Sequence, residues 1–127
     1  MKKTSSLSLL CAAAFTLLSA NPVHAEQCGP SGGNFQFTSP GPWPLYTASK
    51  SGEECQGTFR AGVNTHFKRL FVVSPPQRGT IRLQQGGYYY YRSQAGFRGI
   101  DSFSLRICGV QGSVEGCTEL AVRMQVN

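Results

Sequence analysis

Residues 79–107, GTIRLQQGGYYYYRSQAGFRGIDSFSLRI, constrain this chain more than any other stretch. Ile81 and Leu83 alternate with Arg82 on one side of Gly86-Gly87. Four consecutive tyrosines follow on the other side. A Gly-Phe-x-Gly corner then feeds a third run, in which Phe103, Leu105 and Ile107 alternate with polar residues up to Cys108. A period of two puts every second side chain on one face, which is the signature of a half-buried strand and not of a helix. A hairpin and one strand cannot bury their apolar faces alone. The rest of the chain has to supply further strands.

It does so in short pieces. Thr118–Val126 alternates cleanly, with Leu120, Val122, Met124 and Val126 on one face and Glu119, Ala121, Arg123 and Gln125 on the other. Phe67–Val73 is β-branched and aromatic and stops at Pro75-Pro76. Residues 45–49 and 57–61 are weaker strand candidates across a polar turn at 50–54, and Asn34–Thr38 is a short one. Glycine and proline punctuate 28–44, where Trp43 between prolines is expected to plug one end of a core. Many short strands with frequent turns read as a sandwich or barrel.

The first 25 residues read differently. Lys2 and Lys3 precede an apolar run from Leu7 to Leu18, and Val23-His24-Ala25 offers small residues for cleavage. This is the pattern of a secretory signal peptide. The run is too short to span a bilayer, which takes about 20 residues. The expected mature chain is a single domain, residues 26–127, with no membrane span, placed in the periplasm or outside the cell. Removing Lys2 and Lys3 leaves 10 basic residues against 6 acidic ones, a net charge of +4. Such a surface is attracted to anionic partners, but there is no dense basic run, so nucleic acid is not expected.

Export also removes Cys11 and leaves Cys28, Cys55, Cys108 and Cys117. Four cysteines in an oxidising compartment imply two disulfides. Register arithmetic selects the pairing. With Cys108 opposite Cys117 in an antiparallel pair, Leu105 meets Leu120 and Phe103 meets Val122 on the apolar side. Arg106 meets Glu119 on the polar side, an opposite-charge pair. A one-residue slip breaks all of these matches. Cys28 is then left for Cys55. No metal site is expected, because His66 is the one mature histidine and no two cysteines are spaced as C-x-x-C.

Residues 68–126 resemble the bacterial cadherin-like or immunoglobulin-like repeats of large secreted surface proteins. The residues that carry the likeness are Pro76-Gln77-Arg78-Gly79-Thr80-Ile81-Arg82-Leu83, then Gly87, Tyr89 and Tyr91, then Gly96-Phe97-Arg98-Gly99-Ile100-Asp101-Ser102-Phe103. The likeness covers about the last 60 residues and implies an immunoglobulin-like antiparallel β-sandwich. Those repeats usually occur in tandem, often with acidic calcium ligands between them. This chain has a single such unit and one aspartate, so calcium is not carried over.

The tyrosines can be placed in two ways. A two-residue Gly86-Gly87 turn points Tyr88 and Tyr90 inward. A three-residue Gln85–Gly87 loop points Tyr89 and Tyr91 inward, and the family likeness favours this one. In that case Tyr88 and Tyr90 lie outside with Arg82 and Arg92, as a candidate binding face of rings and guanidinium groups. Phe97 and Phe103 are expected in the core. Asp101 is expected to hold the backbone of the Gly96–Gly99 corner.

No catalytic set is visible, since His66 has no nucleophile motif and Glu53-Glu54 are adjacent on a turn. The chain is therefore expected to be a monomeric non-enzymatic binding module without cofactor. Its partner would be an envelope or extracellular protein or an anionic polysaccharide. The alternatives are a secreted enzyme inhibitor working through 39–44 or the 109–116 hairpin tip, or a structural accessory domain without a ligand.

Overall fold

The computed structural model describes residues 25–29, 35–59 and 64–127. Residues 1–24, nearly all of the segment expected to be a signal peptide (1–25), and Asn34 lie outside the described residues. Eight strands follow one another: β1 (Glu26–Gln27), β2 (Trp43–Ser49), β3 (Glu54–Thr58), β4 (Thr65–Ser74), β5 (Gly79–Gln84), β6 (Tyr88–Ser93), β7 (Gly99–Gln111) and β8 (Val114–Val126). The described residues contain no helix, so none is long and apolar enough to cross a membrane.

Two four-stranded sheets face each other, in the orders β1-β3-β6-β5 and β2-β8-β7-β4. With β1 and β3–β8 lettered A–G, the orders become A-B-E-D and G-F-C, the arrangement of the immunoglobulin sandwich. β2 is the extra strand, laid along β8. The sheets are mixed rather than purely antiparallel. β1 runs parallel to β3, and β2 runs parallel to β8. Both parallel pairs sit at sheet edges, where the N-terminal segment runs along one sheet and then crosses to the other. Parallel neighbours need such a crossover.

β7 and β8 form the longest pair. Their register places Cys108 opposite Cys117, Leu105 opposite Leu120, Phe103 opposite Val122 and Arg106 opposite Glu119. The bridge between Cys108 and Cys117 forms across this ladder, and Cys28 is bonded to Cys55. Two such bonds are the chemistry of an oxidising, extracellular-type environment.

The β5–β6 hairpin turns through Gln85-Gly86-Gly87, with φ of 103° and 107° at the two glycines. That conformation is open to glycine and strained for other residues. Leu83 therefore faces Tyr89 and Ile81 faces Tyr91. Both tyrosines are fully buried, at 0% exposure.

An aromatic chain runs through the core from Phe37 and Phe35 by Phe59 and Phe67 to Tyr89, Phe103 and Tyr91, with successive ring centroids 5.6–6.2 Å apart. Such spacing is favourable for edge-on and offset rings. Gly57 makes room for it, because a β-carbon there would fall inside the Tyr89 ring. Phe103 is buried, but Phe97 is half-buried at the margin of the core. Trp43 opens β2 half-buried and donates from Nε1 to the Thr118 hydroxyl (2.9 Å).

Two expected strands move. Phe35–Thr38 is irregular and turns instead of forming a strand. β3 spans 54–58 rather than 57–61, because its inward positions are Cys55, Gly57 and then Phe59 just past its end. Glycine has no side chain to mark the alternation.

Candidate functional surfaces

The outer face of the first sheet brings the four expected residues together. Register sets Glu54, Arg92 and Thr80 in one row, Gln56, Tyr90 and Arg82 in the next, and Thr58, Tyr88 and Gln84 in the third. Two of the four, Arg82 and Tyr90, are already engaged by neighbours. The Arg82 guanidinium lies 4.1 Å from the Tyr90 ring centroid, and its Nη2 donates to Glu54 Oε1 (3.3 Å). The Tyr90 hydroxyl donates to Gln84 Oε1 (2.8 Å) and accepts from Gln56 Nε2 (3.2 Å). Each exposed contact contributes about 1 kcal/mol or less, yet a ligand would have to replace them all. Tyr88 and Arg92 are left open to solvent.

The outer face of the second sheet is arranged differently. One row holds Tyr46, Arg123 and Ser102. The next holds Pro44, Ala121, Ser104 and Ser74, and the third holds Glu119, Arg106 and Phe71. Arg69 lies beside Cys108 in the fourth. Tyr46 is 54% exposed and Phe71 45%. The ion pairs among the described residues are Lys50–Glu26, Lys68–Glu115 and Arg82–Glu54. Arg69, Arg106 and Arg123 therefore carry exposed charges that form no ion pair there. Arg106 and Glu119 are aligned as expected, but no ion pair closes between them.

Two aromatic–arginine pairs, Tyr46 with Arg123 and Phe71 with Arg106, thus flank a floor of small side chains, Ala121 and Ser104. The pairs stand four residues apart along β8, about 13 Å at the usual strand rise. That is the span of a short oligomer and not of a single ion.

The face runs into a cavity of about 530 Å³ at one end of the sandwich, lined by Ser74, Pro75, Arg78, Phe97, Ile100 and Ser102 among others. The Arg78 guanidinium lies 5.7 Å from the Phe97 ring centroid at its rim. Beneath it Asp101, 3% exposed, accepts from the backbone N–H groups of Gln77 (3.1 Å), Arg78 (3.2 Å) and Ser102 (3.1 Å) and from the Tyr91 hydroxyl (2.7 Å). Asp101 holds the β4–β5 connection, and not the Gly96–Gly99 corner expected from sequence. Burial, and then the hydrogen bond and charge of Asp101, push the Tyr91 hydroxyl pKa above the ordinary tyrosine value.

The two segments suited to an inhibitor are tied to the sheet by backbone pairing. The segment 109–116 is mostly ladder, with a tip of two residues, Gly112-Ser113. In 39–44, the Pro40 carbonyl accepts from Glu119 N–H, and β2 has begun by Trp43. No family model, curated protein or solved structure matches the chain.

Arg69, Arg106, Arg123, Tyr46 and Phe71 were not singled out from sequence. Alternation already put Arg106 and Arg123 outside. What was hidden is the parallel pairing of β2, which brings Tyr46 beside Arg123.

Proposed function

We propose that this chain is an exported, non-enzymatic binding module that recognises an anionic polysaccharide of the envelope or extracellular space. The observation that carries the reading is the outer face of the β2-β8-β7-β4 sheet, where three arginines that form no ion pair among the described residues are interleaved with exposed Tyr46 and Phe71. Guanidinium groups are suited to carboxylate and sulfate through paired N–H donors. Aromatic rings add contact area at low entropy cost. The low floor of Ala121 and Ser104 suits an extended chain lying across the sheet. The mature charge of +4 adds long-range attraction. The likeness to cadherin-like repeats of secreted surface proteins, together with the sandwich topology, supports a place outside the cytoplasm.

The test is retention of the exported protein on a polyuronate, with neutral dextran as control. Arg106→Gln with Arg123→Gln should weaken polyuronate binding by about tenfold, equivalent to about 1.4 kcal/mol. Arg82→Gln with Arg92→Gln should change it by less than about threefold. Affinity should fall as salt rises, since exposed charges are screened over about 8–10 Å near physiological ionic strength. Retention that ignores the first pair of substitutions, or that is equal on dextran, refutes the reading.

A further inference from the structure

β4 closes one side of the second sheet, with β7 as its neighbour and no strand on its other edge among the described residues. An open row of backbone N–H and C=O groups is a template for another strand. Three successive side chains along this edge, Phe71, Val72 and Val73, are exposed, at 45%, 38% and 48%. One position is nevertheless filled. The Leu70 N–H donates to Gln85 Oε1 (3.2 Å), and Gln85 Nε2 donates to the Leu70 carbonyl (3.3 Å). A carboxamide carries the same kinds of donor and acceptor as a peptide group. Gln85 therefore makes with Leu70 the two bonds that a residue of a neighbouring antiparallel strand would make. Gln85 itself is exposed, so an incoming strand can displace its side chain from the solvent side.

We propose that the free edge of β4 is a strand-pairing surface for a second copy of this chain, and that the Gln85 amide holds it closed. The register follows from the capped position. With Leu70 opposite Leu70 of the second copy in an antiparallel pair, the two residues exchange the same two kinds of bond that Gln85 now makes. Leu70 is 1% exposed and points into the core, so Arg69 and Phe71 on either side of it point to the outer face. Arg69 then faces Phe71 of the second copy, and the two-fold axis makes this contact twice. An arginine against an aromatic ring is favourable. Lys68 faces Val72 of the second copy, so no like charges stand directly opposite each other.

The pairing is short, which is why one side chain can control it. Register shifts at 67/69 and 72/74 leave Arg69–Val72 as the regular run of the edge, and such irregularities limit strand addition. Gln85 takes the central pair of bonds out of that run. The mature charge of +4 on each copy opposes association as well. The parent chain is therefore held as a monomer, and release of the Gln85 amide tips the balance towards a two-fold dimer with one sheet continuous across both copies.

The test is sedimentation velocity of the disulfide-bonded protein over a concentration series. No polysaccharide is present, so the result is independent of the polyuronate reading. Gln85→Ala should self-associate at least about tenfold more tightly than the parent. Adding Val72→Lys to Gln85→Ala should return the protein to the parent's monomeric behaviour, because the new lysine meets Lys68 of the second copy. A synthetic peptide of residues 67–74 gives a second measurement on the parent itself, which decides the matter even where Gln85→Ala fails to fold. The peptide should produce saturable amide shifts at Leu70 and Gln85, and a scrambled peptide of the same composition should not. A folded Gln85→Ala protein as monomeric as the parent, association that survives Val72→Lys, or a peptide that leaves Leu70 unshifted overturns the proposal.

Discussion

Replacing Tyr91 and Tyr89 one at a time by phenylalanine should move stability in opposite directions. The two side chains lie two residues apart on β6, are both fully buried and pack against the same ring, Phe103. They differ at the hydroxyl. That of Tyr91 donates to Asp101 Oδ2 at 2.7 Å. A hydrogen bond to a charged group contributes about 1.5–3 kcal/mol. Asp101 keeps three backbone donors in the Tyr91→Phe protein, so the loss should stay within that range. The Tyr89 hydroxyl is buried without a hydrogen-bond partner among the described residues. Thr47 approaches it but donates its own proton to the Gly29 carbonyl (2.9 Å). Tyr89→Phe removes an unsatisfied polar group and leaves the ring, so stability should be unchanged or rise by about 1 kcal/mol. Urea unfolding of the oxidised protein measures both, with the midpoint moving at constant slope. In thermal unfolding, each kcal/mol should move Tm by about 4–8 °C for a domain of this size. A Tyr89→Phe protein as destabilised as Tyr91→Phe would refute the assignment of the two hydroxyls.

Both hydroxyls also set an alkaline limit. Burial is the first cause that raises each pKa above the ordinary value of about 10. The unfolded chain releases these protons from about pH 10 while the fold retains them, so stability is full below pH 10 and falls as pH rises above it. Tyrosinate absorbance from Tyr89 and Tyr91 should develop only together with loss of the β-sheet signal; earlier ionisation would contradict their burial. Gly57→Ala should cost about 3 kcal/mol or more, since the added carbon overlaps the Tyr89 ring, and near-native stability in urea would disprove that packing. The bridges close separations of 27 and 9 residues. Chain entropy then assigns about 3.5 kcal/mol to Cys28–Cys55 and about 2.6 to Cys108–Cys117, so the paired serine variant of the first should be the less stable, and the reverse order would count against this account.

The sequence was most legible where neighbours in the chain are neighbours in space. The β7–β8 register follows from Cys108, Cys117 and unbroken alternation, because a slip would turn every apolar residue outward. The β5–β6 hairpin follows from Gly86-Gly87, but its register does not, because a two-residue turn and the observed three-residue turn both fit these glycines. Longer-range placements were hidden. Asp101 reaches the backbone at 77–78 from 23–24 residues away, and no local pattern marks that partnership. β2 carries Trp43 and Pro44 and pairs parallel to a strand more than 70 residues later, so Tyr46 beside Arg123 was invisible. β4 has register shifts at 67/69 and 72/74, which confuse the parity that would have placed Phe71. Alternation leaves two placements of the tyrosines open, and the likeness to cadherin-like repeats favours the one in which Tyr88 and Tyr90 share a face with Arg82 and Arg92, as the register has it. The contacts that engage Arg82 and Tyr90 are not legible in the sequence, because its pattern places β3 at 57–61 and Glu54 on the turn at 50–54, whereas Glu54 opens β3.

The most direct test of the anionic-ligand reading is a map of backbone amide shifts as a short polyuronate oligomer is added to the disulfide-bonded protein. The account predicts saturable shifts on the second sheet's outer face, at 44–48, 69–74, 102–106 and 119–123, that shrink as salt is raised. Shifts centred instead on Arg82, Tyr88, Tyr90 and Arg92, or none that saturate, would contradict it.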